Sequence, residues 1–177
     1  KDKKFPIYVF YGDEEFFISE ALSAVKTHSL KGTDPSLSLV EFKGDETSGG
    51  VIFDELRTLP FFASKNKLIV VEEADVFVEK NRETLEKYLQ APASHASLVL
   101  VSNKWDKRTK LATLVDKVGI SIECKRLKDH QLPNWISTRA KHYKKNISSV
   151  AGQKLVEDVG NNLAIIDKHL EKLSIYL

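Results

Sequence analysis

Five short apolar runs, each separated from the next by a stretch of helical periodicity, fill roughly the first 127 residues and set the fold class. The runs are 6–11 (PIYVFY), 37–42, 67–71 (KLIVV), 97–102 (SLVLVS) and 120–124. Between them the pattern predicts helices over 13–30, 51–59, 81–90 and 108–118, with Gly49-Gly50 as a break before the second. Strands alternating with helices imply a parallel sheet covered on both faces, because each parallel crossover lays a helix against the sheet. KLIVV lacks the polar–apolar alternation of a half-exposed strand, as expected of a strand buried on both sides. The fold class is α/β, a five-stranded parallel sheet with helices on both faces. After Lys125-Arg126 the strand pattern stops, and three helical stretches near 131–144, 148–159 and 162–176 form a small bundle. The domains therefore read as 1–127 and 128–177, with Asn146 and Gly160-Asn161-Asn162 as breaks within the second.

Composition narrows the function. Lysine and arginine total 27 against 25 acids, a net charge of +2, which argues against a dedicated basic nucleic-acid module. No run approaches the about 18 apolar residues of a membrane helix, no signal peptide opens the chain, and a single cysteine, Cys124, rules out an internal disulfide. A reducing, cytoplasmic location without membrane contact follows. Methionine is absent, position 1 included, so the sequence reads as a processed or excised piece of a longer chain.

Parallel α/β domains place ligands at the C-terminal ends of their strands. A nucleotide-binding loop there needs G-x-x-x-x-G-K-[ST]. After the first strand this chain has Tyr11-Gly12-Asp13-Glu14-Glu15, with one glycine, no lysine and three carboxylates where phosphate would sit. The third strand ends in Glu72-Glu73-Ala74-Asp75, like the acidic segment that holds magnesium in NTPases; without a phosphate loop it reads as a solvated acidic strand end. A receiver-type phosphoacceptor is also echoed by Asp13, Glu14, Ser102 and Lys125, but no aspartate stands at the acceptor position of strand three. The five histidines (His28, His95, His130, His142, His169) form no ligand cluster, Cys124 reads as a core residue, and no serine occupies a nucleophile elbow. No catalytic, metal or cofactor-binding residue is therefore assigned. Two basic stretches, 104–110 with Lys104, Lys107, Arg108 and Lys110, and 139–145, are either phosphate contacts or solvated helix ends. The sequence Leu59-Pro60-Phe61-Phe62 is the oddity: two adjacent phenylalanines after a proline fit neither the sheet period nor one helical face. Either the corner tucks onto its own core or a ring is left exposed as an interface anchor.

Taken together, Tyr8 to Glu14 followed by Phe16-Phe17-Ile18, Leu59 to Lys65 before KLIVV, Asp106 to Leu111, and Gly160-Asn161-Asn162-Leu163 with Leu170, Leu173 and Tyr176 resemble the delta subunit of the bacterial DNA polymerase III clamp loader. The resemblance spans nearly the whole chain, with His169 in place of an expected acid. It implies an AAA+-like domain that has lost its phosphate loop, a three-helix lid, and a C-terminal collar domain absent from this sequence. By the same resemblance the function is non-catalytic: binding and opening a ring-shaped sliding clamp during DNA replication. The implied contact residues are Phe61 and Phe62, with Leu59 in support. The implied partners are the clamp, the ATPase and other loader subunits, and primer-template DNA indirectly. An ATP-binding loader or other AAA+ subunit, a receiver-like signalling domain and a direct DNA-binding protein are the alternatives weighed.

Overall fold

The computed structural model describes residues 4–60 and 66–176. The chain divides into two compact units, residues 1–125 and 126–177. In the first, strands β1 (Ile7–Tyr11), β2 (Leu39–Lys43), β3 (Lys67–Glu72), β4 (Ala96–Ser102) and β5 (Ile120–Glu123) form one sheet in the order β2-β3-β4-β1-β5. Every pairing is parallel, with Val9 of β1 opposite Leu100 of β4 on one side and Ser121 of β5 on the other. The connections are helical: α1 (Glu15–Ser29), α2 (Pro35–Ser38), α3 (Gly49–Arg57), α4 (Asp75–Gln90) and α5 (Lys110–Val118).

Because successive strand residues point to opposite faces, the central strands feed two cores. Ile7, Val9, Ile69, Val71, Leu98 and Leu100 pack against Ile52 and Leu56 of α3, Phe77 and Leu85 of α4, and Leu111 and Val115 of α5. Tyr8, Phe10, Leu68, Val70 and Val99 pack against Phe17, Ile18, Ala21, Leu22 and Val25 of α1, with Cys124 among them. Burial first, and then the Glu14 carboxylate, push the Cys124 thiol up, which keeps it an unreactive core group.

Three local expectations are corrected. Residues 37 and 38 belong to α2 rather than to the second strand: Pro35 supplies a helical φ at the first turn, and the Asp34 carboxylate caps the Ser36 amide at 2.9 Å. Helix α4 begins at Asp75, six residues before the apolar period resumes, and carries a kink at Asn81, whose Nδ2 donates to the Phe77 carbonyl at 2.9 Å. That Asn81 side chain explains Gly49. A Cβ on Gly49 would stand 2.1 Å from Asn81 Oδ1, so the glycine pair opens α3 against the kink instead of interrupting the chain.

The second unit has a 3₁₀ turn (Asp129–Gln131) followed by α6 (Leu132–His142), α7 (Ser149–Val159) and α8 (Leu163–Tyr176). Its core joins Leu132, Ile136 and Ala140 of α6 to Leu163, Ile166 and Leu170 of α8. Arg139 makes a two-pronged pair with the Asp167 carboxylate, with Nη2 at 2.8 Å from Oδ2, and the Tyr143 hydroxyl donates to Asp167 Oδ1 at 2.8 Å. Of the basic stretch 139–145, Arg139 thus serves an internal ion pair between α6 and α8, not a phosphate contact and not a solvated helix end.

Candidate functional site

The C-terminal edge of the sheet is where an α/β domain normally offers backbone amides to an anion. Here those amides are spent. Gly12 N donates to Ser102 O at 3.2 Å, Glu14 N to Cys124 O at 3.0 Å, and Phe16 N to the Glu14 carboxylate at 3.2 Å. The Cys124 amide closes the turn from the other side on Tyr11 O at 2.6 Å. The approach is so close that a Cβ on Gly12, whose φ is +134°, would fall 2.1 Å from the Cys124 carbonyl oxygen. The loop is filled by the protein's own backbone, with Asp13, Glu14 and Glu15 at its exit.

The acidic end of β3 divides. Glu72 and Glu73 are exposed, as the sequence implies. Asp75 is not a solvated acid: its carboxylate accepts from the Asn103 amide at 2.9 Å and the Lys104 amide at 3.1 Å, tying the start of α4 to the loop after β4. The loop beyond carries Lys104, Lys107, Arg108 and Lys110, all exposed. Arg108 bonds Asp106 at 3.1 Å, Lys110 pairs with Glu86 at 2.9 Å, and Lys107 lies 5.7 Å from the Tyr11 ring centroid.

The N-terminal edge is built differently. Helix α3 buries Ile52, Phe53 and Leu56 and ends at Arg57, where Thr58 caps it and Pro60 prevents its continuation. Leu59 follows with 71% of its surface exposed. Phe61 and Phe62 lie outside the described residues. The chain re-enters the sheet at Lys67, which is only 6% exposed. Its ammonium reaches back to the Glu55 carboxylate at 2.7 Å, the Thr58 carbonyl at 3.2 Å and the Glu55 carbonyl at 3.4 Å. One buried cation therefore stitches the residue after the 59–66 segment to the helix end before it, satisfying orphan carbonyls of the α3 C-terminus. The apolar reading of KLIVV hid this residue. Its place at the head of a strand buried on both faces marks it, but nothing in the local sequence names Glu55 as its partner.

An AAA+-like parallel sheet whose phosphate loop is closed by its own backbone, followed by a helical unit, defines a class of scaffold that has parted from nucleotide chemistry at that loop. Residues 8–125 match the family model described as DNA polymerase III, delta subunit, and the chain belongs to that family. It is 26% identical over 186 residues to DNA polymerase III subunit delta of Bacillus subtilis (strain 168), covering all of this chain and 54% of that protein, so it spans about half of that relative's length. The solved structure of the Bacillus subtilis DNA clamp loader delta protein superposes with a TM-score of 0.83 at 26% identity, over 97% of this chain and 53% of the other. A DNA polymerase III gamma subunit-related protein from Thermotoga maritima shares the fold, with a TM-score of 0.51 at 14% identity over 89% of this chain and 63% of its own.

Proposed function

We propose that this chain is the clamp-engaging part of a clamp-loader delta subunit. It binds a ring-shaped sliding clamp through Leu59, Phe61 and Phe62 and favours the opened ring for loading onto DNA. The observation that carries this reading is the exposed Leu59 on a stem held shut by buried Lys67: a hydrophobic residue presented outward from a rigid base. Presentation on a fixed stem lowers the ordering cost of binding, so more of the hydrophobic contact appears as affinity.

The mechanism is mechanical, with no bond made or broken by this chain. A subunit that contacts the open ring better than the closed one shifts the ring toward opening by that difference in affinity and no further. Fuel comes from ATPase subunits elsewhere in the loader, in keeping with amides at Gly12, Glu14 and Phe16 that are already bonded internally. Lys104, Lys107, Arg108 and Lys110 are proposed to face primer-template DNA within the assembly.

Calorimetric titration of a bacterial sliding clamp into the chain tests the proposal. Phe62→Ala is expected to cost about 2–4 kcal/mol of binding, roughly 30- to 1,000-fold, with the circular dichroism spectrum unchanged. An unaltered dissociation constant removes Phe62 from the site.

A further inference from the structure

Two backbone bonds and one close approach tie the turn after β1 to a single residue, Cys124. Its amide donates to Tyr11 O at 2.6 Å, and its carbonyl accepts from Glu14 N at 3.0 Å. That same carbonyl oxygen fills the space beside Gly12, 2.1 Å from where a Cβ would stand. Cys124 is 1% exposed, and the first compact unit ends one residue later, at Lys125. The second unit opens on its own anchor: Lys128 N donates to Gln131 Oε1 at 2.9 Å, and Lys128 O accepts the Gln131 amide at 2.8 Å. Between the two anchors stand Lys125, Arg126 and Leu127, in neither helix nor strand.

The near anchor matters because of where β5 lies. It is an edge strand of four residues, hydrogen-bonded to β1, and Ile122 and Glu123 near its end are exposed. The end of such a strand frays unless something beyond its ladder holds it. In nucleotide-binding α/β domains the amides of the turn after β1 meet a phosphate, so their engagement depends on ligand. Here the Glu14 amide meets the exit of β5 instead, and the tie is part of the fold.

We propose that the closed loop is the anchor of the tether between the two units. It fixes the point where the chain leaves the sheet and confines the joint to residues 125–127, with or without nucleotide. From Cys124 to Lys128 the chain can then reach at most about 14 Å. Opening the loop would let the end of β5 join the tether and lengthen it. The proposal concerns the chain alone and does not depend on clamp binding.

The test places spin labels at Ser23→Cys and Glu171→Cys, an exposed position in each unit, in a Cys124→Ala background. The bonds at issue are made by the backbone of residue 124, so the background keeps them. Electron–electron distance distributions are compared between this parent, the parent with Gly12→Ala, and the parent with Gly44→Ala. Gly44 lies in the turn after β2, at the opposite edge of the sheet, and a Cβ there would stand 2.9 Å from Ala74 Cα and Glu73 O. It controls for crowding that leaves residue 124 alone. The distribution is expected to widen by about 5 Å in Gly12→Ala, the reach of one or two freed residues, and to keep the parent's width in Gly44→Ala. Excess ATP should leave the parent's distribution unchanged. No widening in Gly12→Ala, equal widening in both variants, or a shift on adding ATP to the parent overturns the proposal. Hydrogen exchange on the wild-type chain reads the same anchor without any variant, should Gly12→Ala fail to fold. The Glu14 and Cys124 amides are expected to exchange as slowly as those of β1; exchange as fast as at 125–127 also overturns it.

Discussion

The two edges of the sheet use the same materials to opposite ends. At the C-terminal edge, backbone approaches backbone: Gly12 admits the Cys124 carbonyl, the Gly12 and Glu14 amides are satisfied internally, and Asp75 takes the amides of Asn103 and Lys104. At the N-terminal edge a buried ammonium gathers the end of α3, and Leu59, just beyond that end, is exposed. Parallel α/β domains ordinarily bind at the first edge. With the Gly12, Glu14 and Phe16 amides bonded internally, the proposed contact lies at the other edge, where Leu59 is exposed. On the proposed reading, a scaffold keeps its strand order while its binding function moves across the sheet.

The largest effect that bears on this contrast is expected at Lys67. Lys67→Met keeps the stem's bulk but strands the Glu55 carboxylate and two carbonyls, at a cost of about 2–4 kcal/mol in urea unfolding. Clamp affinity should fall with it as the stem loosens; a variant as stable as wild type would show that the stitch does not hold this edge. Next is Gly12→Ala at the closed edge. Its Cβ has no room beside the Cys124 carbonyl at a φ of +134°, and about 2–3 kcal/mol of stability should be lost. Clamp affinity measured well below the unfolding midpoint should stay unchanged, because the two edges do different work; a parallel loss of affinity would break the comparison.

A smaller effect serves as a control in the unit that carries neither edge. Burial alone would raise the Asp167 carboxyl, but the hydrogen bonds from Arg139 and Tyr143 outweigh it and hold the group below its usual range. A lowered folded value means that the contribution is complete above the unfolded carboxylate value, about pH 4. It is then lost as the pH falls through the folded value. Acid titration followed by helical circular dichroism should show the 126–177 unit losing about 1 kcal/mol in that window, with Asp167→Asn removing the dependence. A variant whose acid titration matches that of wild type would show that the ion pair contributes nothing to the bundle.

How much of this was legible in the sequence follows the range of the interactions. The strands were, because KLIVV and PIYVFY lack polar alternation and so require cover on both faces, which α1 on one side and α3, α4 and α5 on the other supply. The disturbance at Leu59-Pro60 was, because proline and adjacent aromatics violate local periods. Local capping at Asp34 and the early start of α4 were masked by polar composition. The rest was out of reach for a different reason. Lys67 with Glu55 acquires meaning only once the fold brings α3 and β3 together, and no local period announces the pair. Of the three contact residues expected from the family resemblance, Leu59 stands exposed, while Phe61 and Phe62 lie outside the described residues.

Hydrogen exchange of the chain with and without saturating sliding clamp addresses the central claim most directly, because it reads both edges in one experiment. The account predicts slowed exchange over 57–66 and no change over 12–16. Protection over 12–16 with 57–66 unaffected would contradict it.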